Sequence, residues 1–451
     1  MNTRAADSDF PYPRPAYAWY VVTVLYLAYV LAFVDREIIA LMIRDIKISL
    51  RLSDWQISWL LGLAFAVFYT VIGILLGWLA DRSNRKWLLF AGVTTWSVMT
   101  CACGMASTYP GLFMARIGVG AGEGALNPAA LPMIKDYFPP GKVGRATGFY
   151  TAGVSTGSGV AFIIGGGLIY PALLAAGPQT WPIVGLVEPW QQMFLYVGMP
   201  GLIVALLLLT IREPVRREFL RSGGRPVRTA SIWETLVFLC KRWRIYIVLF
   251  VALSVLAIMA YGVGFWIPEF LRRTYHLDNK TWGMFVALRG VVTLASGLFG
   301  VLAGGWACDL LKDKYPDSYI RICVVAYVFM MIGYSTFALM PTPTLALVML
   351  IPASIGAAAP TAAGAAAVLA ISPPHMRSQI TAFYYFVLNV IGLTVGPPAV
   401  GAMTDFYFHD ESQLRYSITV VAAFFSVIGM LLLLYNRRHF VAGLEEAKAW
   451  Q

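Results

Sequence analysis

Charged side chains are scarce in this sequence. Only 13% of its 451 residues are Asp, Glu, Lys or Arg, whereas about 25% is usual in a soluble domain, so an ordinary globular enzyme is excluded. Hydrophobic residues make up 59% of the chain, in runs that are too long and too many to be buried core helices. Twelve bilayer-crossing helices of ~20–22 residues would use roughly 240–265 positions. The composition therefore predicts an all-α protein that crosses a membrane many times.

Cysteine and histidine are also rare. The five cysteines are scattered, and the pair Cys101 and Cys103 has no second pair at metal-ligand spacing, which indicates neither disulfides nor a metal site. The four histidines all lie outside the interiors of the apolar runs. We therefore expect no metal and no cofactor, and any group that carries a proton inside the membrane must be a carboxylate.

The net charge of +11 reflects topology rather than a nucleic-acid partner. If both termini are cytoplasmic, about 24 Lys and Arg fall in the termini and the even-numbered loops and about 7 in the odd-numbered loops, an asymmetry that the positive-inside rule describes. The other three basic residues, Arg36, Arg116 and Arg289, fall inside apolar runs. This distribution predicts a multi-pass protein of a cell membrane, the inner membrane if bacterial, with both termini cytoplasmic and a secondary attraction to anionic membrane lipids.

The apolar windows predict helices over 17–43, 55–80, 87–107, 109–135, 143–171, 190–212, 245–271, 281–308, 320–340, 343–371, 377–403 and 415–437. A basic stretch with Pro and Gly follows the sixth helix and divides the helices into two sets of six. Residues 1–16 contain no short apolar segment that ends in a cleavage site, so they do not resemble a signal peptide. We expect a cytoplasmic tail (1–16), an N-terminal bundle (17–212), a cytoplasmic linker (213–244), a C-terminal bundle (245–437) and a second cytoplasmic tail (438–451).

A short motif recurs about half a chain apart. The second predicted helix closes on Gly77 to Asp81 (GWLAD), and the eighth closes on Gly305 to Asp309 (GWACD). Basic residues follow each copy. Such a duplication is typical of secondary transporters, which bind substrate between two pseudo-symmetric halves and expose the site to each side in turn.

The first copy is part of a longer signature, G-x-L-A-D-R-x-x-R-K, present as Gly77, Leu79, Ala80, Asp81, Arg82, Arg85 and Lys86. On these residues the chain resembles the major facilitator superfamily. The resemblance implies two six-helix bundles over essentially the whole chain. It also implies a cytoplasmic gate that latches the halves together when the cavity faces outward, formed by Gly77, Asp81, Arg82, Arg85 and, from the degenerate second copy, Asp309. The alternative is that this loop is only a topological anchor.

Charges inside the predicted spans are candidates for function, because a charge in the hydrocarbon is costly unless it is paired or hydrated. Asp35 and Arg36 lie in the first span, Arg116 and Glu123 in the fourth, and Arg289 in the eighth. Arg116 and Glu123 are seven residues apart, so they share a helix face at about 10 Å along the axis. We expect Asp35, Arg36 and Arg116 to pair near one level, with Glu123 below them and Arg289 facing them.

Two alternatives stay open for these charges. The pair of Asp35 and Arg116 could be a static salt bridge that holds two helices together. The first span could also end near Val34, which would place Asp35, Arg36 and Glu37 at the membrane interface, although the apolar run continues from Ile38.

The chemistry of these groups suits proton–substrate exchange. Apolar surroundings favour the neutral form of a carboxylate, whereas a neighbouring arginine favours the charged form, so Asp35 and Glu123 are the candidates for proton coupling. Arg36, Arg116 and Arg289 are the candidates for binding an anionic substrate, because a planar guanidinium binds phosphate or carboxylate at two points and keeps its charge. Glu123 belongs to this binding set as well, since the substrate would displace it from its arginine.

The helices expected around the cavity offer many aromatic and few polar side chains. The seventh contributes Tyr261 and Trp266, and the eleventh contributes Tyr384 and Asn389. A sugar site would need more polar groups for the hydroxyls, so the pattern favours a ligand with an anionic head and an apolar tail. Packing or lipid contact is the alternative explanation for the aromatic positions.

The fourth span also carries R-x-G-x-G-x-G-E-G-x-x-x-P, present as Arg116, Gly118, Gly120, Gly122, Glu123, Gly124 and Pro128. Together with the Asp-Arg pair of the first span, this pattern resembles the Spinster branch, whose members are similar to lysophospholipid and sphingosine-1-phosphate transporters. The resemblance implies proton-coupled movement of amphipathic anionic lipids by alternating access, with Asp35, Arg36, Arg116 and Glu123 as site residues. A drug or organic-anion/proton antiporter is the main alternative and a membrane-bound receptor or enzyme a remote one. We expect a monomer.

Overall fold

The computed structural model describes residues 12–182, 184–216, 231–311 and 313–448, and this part of the chain is almost entirely helical. The first eleven helices, α1 to α11, are Pro15–Ile38, Ile43–Leu50, Asp54–Leu61, Leu63–Arg82, Arg85–Gly104, Tyr109–Glu123, Leu126–Tyr137, Pro140–Thr151, Gly153–Val160, Tyr170–Ala176 and Pro189–Leu208. The next seven, α12 to α18, are Ile232–Lys241, Tyr246–Tyr275, Asn279–Leu311, Ser318–Thr336, Pro343–Ala370, Arg377–Ala402 and Leu414–Lys448.

Short irregular elements connect or extend these helices. Three single turns of 3-10 helix cover Ile39–Leu41, Phe337–Leu339 and Glu411–Gln413, and two π-helical stretches cover Ala161–Ile169 and Met403–Phe408. The strands β1 (Gln179–Trp181) and β2 (Gly185–Val187) form a small antiparallel hairpin in which Thr180 pairs with Leu186. The hairpin is the only β-structure among the described residues, so the fold class is all-α, as predicted.

Eleven helical segments of the described chain are long and apolar enough to cross a membrane. The remaining predicted span is the fourth, 109–135. It is present as two consecutive helices, α6 and α7, which are 15 and 12 residues long. Helix α6 begins after Thr108, whose hydroxyl accepts a hydrogen bond from the Gly111 backbone N–H at 3.3 Å. The fourth span is therefore a broken helix.

The break in the fourth span brings two helices into close contact. A Cβ atom added to Gly124 would lie only 2.9 Å from the Tyr69 carbonyl oxygen and 3.2 Å from the Gly73 nitrogen, both on α4. Only glycine allows the backbones to approach this closely. The glycine-rich sequence around Glu123 thus packs the fourth span directly against the second.

The described chain forms two compact units. The first unit comprises the described residues within Met1–Ile38, Val67–Ala161 and Ala172–Arg228. Its core contains α1, α5, α6, α7 and α11, with Trp96 and Trp190 among the largest fully buried side chains. Small residues permit close helix packing here as well, since a Cβ on Gly92 would come within 2.7 Å of the Ala125 Cβ atom.

The second unit comprises Ile39–Ala66, Phe162–Pro171 and the described residues from Thr229 onward. It therefore includes parts of the predicted N-terminal bundle, packed within the same unit as helices α13 to α18. Helices α13 and α17 meet at two glycines, because a Cβ on Gly262 would lie 2.7 Å from the Gly396 carbonyl carbon. Trp266 and Trp282 are fully buried in this unit.

Two elements differ from the predicted boundaries. Helix α12 lies within the predicted linker and begins with a capping box, in which the Ser231 hydroxyl accepts from the Glu234 N–H and the Glu234 carboxylate accepts from the Ser231 N–H. Helix α18 continues to Lys448, whereas the apolar pattern that predicts the last span ends at 437. Polar residues extend this helix beyond the apolar run, which periodicity of hydrophobic residues does not detect.

Candidate functional site

Four intramembrane charges of the first unit form two pairs. Arg36 Nη2 donates to Glu123 Oε2 at 2.9 Å. Arg116 Nη1 lies 4.0 Å from Asp35 Oδ1 and donates to the Asp35 backbone oxygen at 3.4 Å. All four residues are at most 4% exposed. The structure thus places Asp35 and Arg36 inside the protein together with Arg116 and Glu123.

Aromatic rings hold the Arg36 side chain toward Glu123. Its guanidinium carbon lies 4.7 Å from the centre of the Phe33 ring and 4.9 Å from that of Tyr69. Rings at this distance stabilise a cation through their negative faces. Arg36 is therefore held by a carboxylate and two π-faces, which compensate part of the cost of burying its charge.

Asp35 has a partner that sequence reasoning missed. The Thr100 hydroxyl, buried on α5, donates to Asp35 Oδ2. A single threonine in an apolar span carries no distinguishing pattern, so only the tertiary structure, which brings Thr100 to Asp35, identifies it.

Each carboxylate also keeps an oxygen that takes no hydrogen bond. Asp35 Oδ1 and Glu123 Oε1 are both buried without a hydrogen-bond partner among the described residues. A buried acceptor of this kind is costly, and protonation or an incoming donor would relieve it. The site can therefore gain a proton or a ligand group without first breaking every existing contact.

A cluster of hydroxyl and amide groups lies one turn beyond Glu123 on the fourth span. The Tyr150 hydroxyl donates to Asn127 Oδ1 at 2.8 Å, while Asn127 Nδ2 lies 3.4 Å from the Tyr29 hydroxyl and 3.5 Å from the Tyr69 hydroxyl. Tyr150 is buried, and the rings of Tyr29 and Tyr150 stack at 4.6 Å. Asn127, Tyr29 and Tyr69 are only partly buried.

Arg289 lies in the second unit, in surroundings of its own. Its Nη2 donates to the Gly264 carbonyl at 2.7 Å, and its guanidinium carbon lies 3.8 Å from the centre of the Phe162 ring. The side chain is buried. Arg289 is thus anchored to α13 and to the fifth span.

The predicted binding positions of α13 and α17 in the second unit divide into two groups. Trp266 is fully buried, and its ring N–H donates to the Pro397 carbonyl oxygen at 3.2 Å. Tyr384 is also buried, with its ring centre 5.7 Å from that of Phe250. Both side chains fill the core in this conformation. Tyr261 and Asn389 are partly exposed; Asn389 Nδ2 donates to the carbonyl oxygen four residues before it at 2.9 Å.

The signature loop of the first unit is organised by residues outside the signature. Buried Arg85 pairs with Asp136 and Glu213, both at 2.8 Å. Arg216 donates to the carbonyl oxygens of Ala80, Asp81 and Ser83 at the end of α4, where a cation is favourable.

The remaining predicted gate residues are mostly exposed at the surface. The Asp81 and Arg82 side chains are exposed, and the Arg82 guanidinium carbon lies 4.4 Å from the centre of the Trp78 ring. Gly77 faces Pro128, whose Cβ atom would be 3.7 Å from an added Cβ. Asp309 is exposed in the second unit.

A second charged cluster, which sequence reasoning missed, lies within the second unit. Asp54, fully buried, accepts from Lys47 and, at 2.6 and 2.9 Å, from Arg273. Arg273 also pairs with Glu269 at 2.6 Å, and Lys47 with Glu411 at 3.0 Å. We call these five residues the Asp54 cluster. A cavity of about 420 Å³ adjoins it.

Comparison with known proteins identifies the family. A model of the Major Facilitator Superfamily matches residues 25–397. The crystal structure of a bacterial homolog to the human lysosomal transporter Spinster, in an inward-facing and unoccupied conformation, is similar in fold, with a TM-score of 0.77 and 24% identity over 97% of this chain and 99% of that one.

Two curated relatives are similar to this chain over most of its length. The "Probable L-galactonate transporter" of Escherichia coli (strain K12) is 26% identical over 73% of this chain and 70% of its own length. "Protein spinster" of Drosophila melanogaster is 23% identical over 86% of this chain and 62% of its own length. The predicted resemblance to Spinster proteins and the prediction of a transporter rather than an enzyme are confirmed. With this match over most of its length, the chain belongs to the Major Facilitator Superfamily and is a multi-pass membrane transporter of a small molecule.

Proposed function

We propose that this transporter couples protons to the movement of an amphipathic anion, such as a lysophospholipid or a sphingosine-1-phosphate-like lipid. The observation that supports this most directly is the pair of Arg36 and Glu123 buried beside Asp35 and Arg116. Their two positive and two negative groups balance in an apolar surrounding, where an unbalanced charge is costly.

Charge balance supplies the coupling. A phosphate or carboxylate that engages Arg36 displaces Glu123, whose carboxylate then carries an uncompensated negative charge. Binding of one proton restores neutrality, because burial without a partner favours the neutral acid. The loaded site thus differs from the empty one by one anion and one proton, so in this proposal both move together, rather than in the exchange expected from the sequence.

A sugar acid is the second candidate substrate, within the organic-anion alternative. The cluster of Asn127, Tyr29 and Tyr69 offers hydroxyl and amide groups next to Arg36 and Glu123, which suits a ligand with several hydroxyls. The name of the Escherichia coli relative also supports this candidate. Both candidates use the same anion-binding arginine and differ in whether an apolar tail follows the acidic group.

Transport into reconstituted vesicles tests the proposal and separates the substrates. The purified protein is offered lysophosphatidic acid, sphingosine-1-phosphate and L-galactonate, each with and without a pH gradient. We expect at least tenfold faster transport of the lipids with the gradient. Faster transport of L-galactonate than of both lipids would favour the second candidate, and no response to the gradient with any anion would contradict proton coupling.

The carboxylates are tested in the same vesicles. Asp35→Asn and Glu123→Gln are expected to lower gradient-driven transport at least tenfold while the proteins remain monodisperse in detergent. The matched control is Glu445→Gln, which removes an exposed carboxylate that pairs with Lys448 at the surface. Full gradient dependence in both site variants would refute their role.

A further inference from the structure

A basic cavity of about 380 Å³ lies in the second unit, where α12 leads into α13 and the end of α18 packs beside them. The polar and aromatic side chains that line it are Lys241, Arg242, Trp243, Arg244, His439 and Glu446. Three of these are permanent cations at neutral pH and one is an acid. The cavity therefore has a positive excess before His439 is considered.

The single acid of the cavity is already engaged. Glu446 Oε2 accepts from Arg242 Nε at 2.9 Å. Lys241 and Arg244 make no ion pair with any residue that the structure describes. Two cations thus remain available to an anion. A tetrahedral phosphate group has several acceptor oxygens and can engage both cations at once.

The surroundings of the cavity are those of a membrane interface. Helix α13 begins at Tyr246 as an apolar span, so the cavity lies where this span leaves the bilayer. Trp243 is 49% exposed, with the Arg244 guanidinium carbon 5.5 Å from its ring centre. Tryptophan beside basic residues is typical of the headgroup level.

Helix α12 adds an apolar surface next to the cations. Thr235 and Leu239 are buried on one face, while Ile232 and Trp233 are exposed, Trp233 to 72%. Exposed apolar side chains on an amphipathic helix can insert among acyl chains while the neighbouring basic residues contact phosphate. The same short stretch therefore offers both contacts that a phospholipid requires.

We propose that this cavity binds the phosphate headgroup of an anionic phospholipid from the adjoining leaflet, with Lys241 and Arg244 as its main ligands. The site is distinct from the intramembrane ion pairs, and the proposal does not depend on the nature of the transported molecule. Basic cavities at the ends of membrane helices are suited to such headgroups.

Lipid retention by the intact protein tests this site. The protein in detergent is incubated with phosphatidylglycerol or phosphatidylcholine, and bound lipid is counted by native mass spectrometry. The wild-type protein is expected to retain at least fivefold more phosphatidylglycerol than phosphatidylcholine. The double variant Lys241→Gln/Arg244→Gln is expected to lose this preference, whereas Arg438→Gln/Lys448→Gln, which removes equal charge outside the cavity, changes it less than twofold.

A variant that is expected to increase lipid retention keeps the test independent of folding, because a misfolded protein would not bind more lipid. Glu446→Gln removes the only acid of the cavity lining and is expected to raise phosphatidylglycerol retention at least twofold. Equal retention of both lipids by the wild-type protein, or equal losses in the two double variants, would overturn the proposal. Competition by soluble glycerol phosphate as strong as that by phosphatidylglycerol would show a free-anion site and overturn the assignment to a lipid.

Discussion

Single side chains around Asp35 show how the site controls a buried carboxylate. Arg116 supplies charge at 4.0 Å, and Thr100 supplies a hydrogen bond to the other oxygen. The rarity of charge inside apolar spans identifies Asp35 and Arg116 from the sequence. Thr100 and Asn127 could not be identified in this way, because uncharged polar residues are common in membrane helices and their partners depend on packing.

Thr100→Val is expected to impair turnover more than binding. Valine preserves the shape of the side chain but removes the donor to Asp35, and a hydrogen bond to a charged group is worth roughly 1.5–3 kcal/mol. We expect transport in vesicles to slow about tenfold, with substrate affinity within about twofold of wild type. Thr100→Ser, which keeps the hydroxyl, is the control and should restore transport. Equal rates for the valine and serine variants would contradict the role of this hydroxyl.

At the scale of helices, apolar windows located the spans well but not their interruptions. The fourth predicted span, 109–135, is α6 followed by α7. The sequence between them remains apolar, so hydrophobicity shows no break. The close approach of Gly124 to Tyr69 and Gly73, which is a property of the packed helices, explains the glycine there.

The end of α4 carries the proposed cytoplasmic latch. Arg216 binds the carbonyl oxygens that end this helix, and the Asp81 side chain is exposed. Asp81 is therefore available to a partner in another state of the transport cycle. The alternative, a topological anchor, would need the basic residues of this loop but not its aspartate.

Asp81→Asn is expected to slow alternation without weakening binding, because it neutralises the latch while leaving the Arg216 contacts to backbone oxygens in place. Transport should fall about tenfold, with substrate affinity within about twofold of wild type by equilibrium binding in detergent. Asp313→Asn, in the corresponding loop of the second unit and also exposed, is the control and should transport normally. A large loss of affinity in Asp81→Asn would instead place this residue in the binding site.

At the scale of the whole molecule, the Asp54 cluster links segments that are far apart in the sequence. It joins residues 47 and 54 to the end of α13 and to Glu411. A transporter that works by alternating access must separate its halves at each end in turn. The cluster connects a segment of the predicted N-terminal bundle to the predicted C-terminal bundle, and we expect it to break when this end opens in the proposed transport cycle.

Asp54→Asn is expected to favour opening at this end, because it leaves Lys47 and Arg273 short of a buried counter-charge in the closed arrangement. Loss of one member of a buried ion pair costs about 3–5 kcal/mol. The measurement is alkylation of a cysteine at Ser58, which is fully buried against Gly401, in a chain without its five native cysteines. We expect at least tenfold faster alkylation by a membrane-impermeant maleimide.

Glu445→Gln controls for the loss of a carboxylate, since its partner Lys448 is exposed at the surface. This variant should leave the alkylation rate of the cysteine at position 58 unchanged. An unchanged rate in Asp54→Asn as well would show that the cluster does not hold this end closed.

The amino-acid sequence by itself determined the class of the molecule. The length of a helix that spans a bilayer is fixed by the thickness of the hydrocarbon, so apolar runs reveal membrane helices locally. The cost of a charge in that environment in turn marks Asp35, Arg36, Arg116 and Glu123 without any knowledge of their partners.

The tertiary structure decided which charges meet. Arg36 pairs with Glu123, Asp35 accepts from Thr100, and Lys47 joins Glu411, across 87, 65 and 364 positions of sequence. Such contacts depend on how far each helix is rotated and how closely the backbones approach. Those quantities arise from packing between helices, and hydrophobic periodicity along one helix does not contain them.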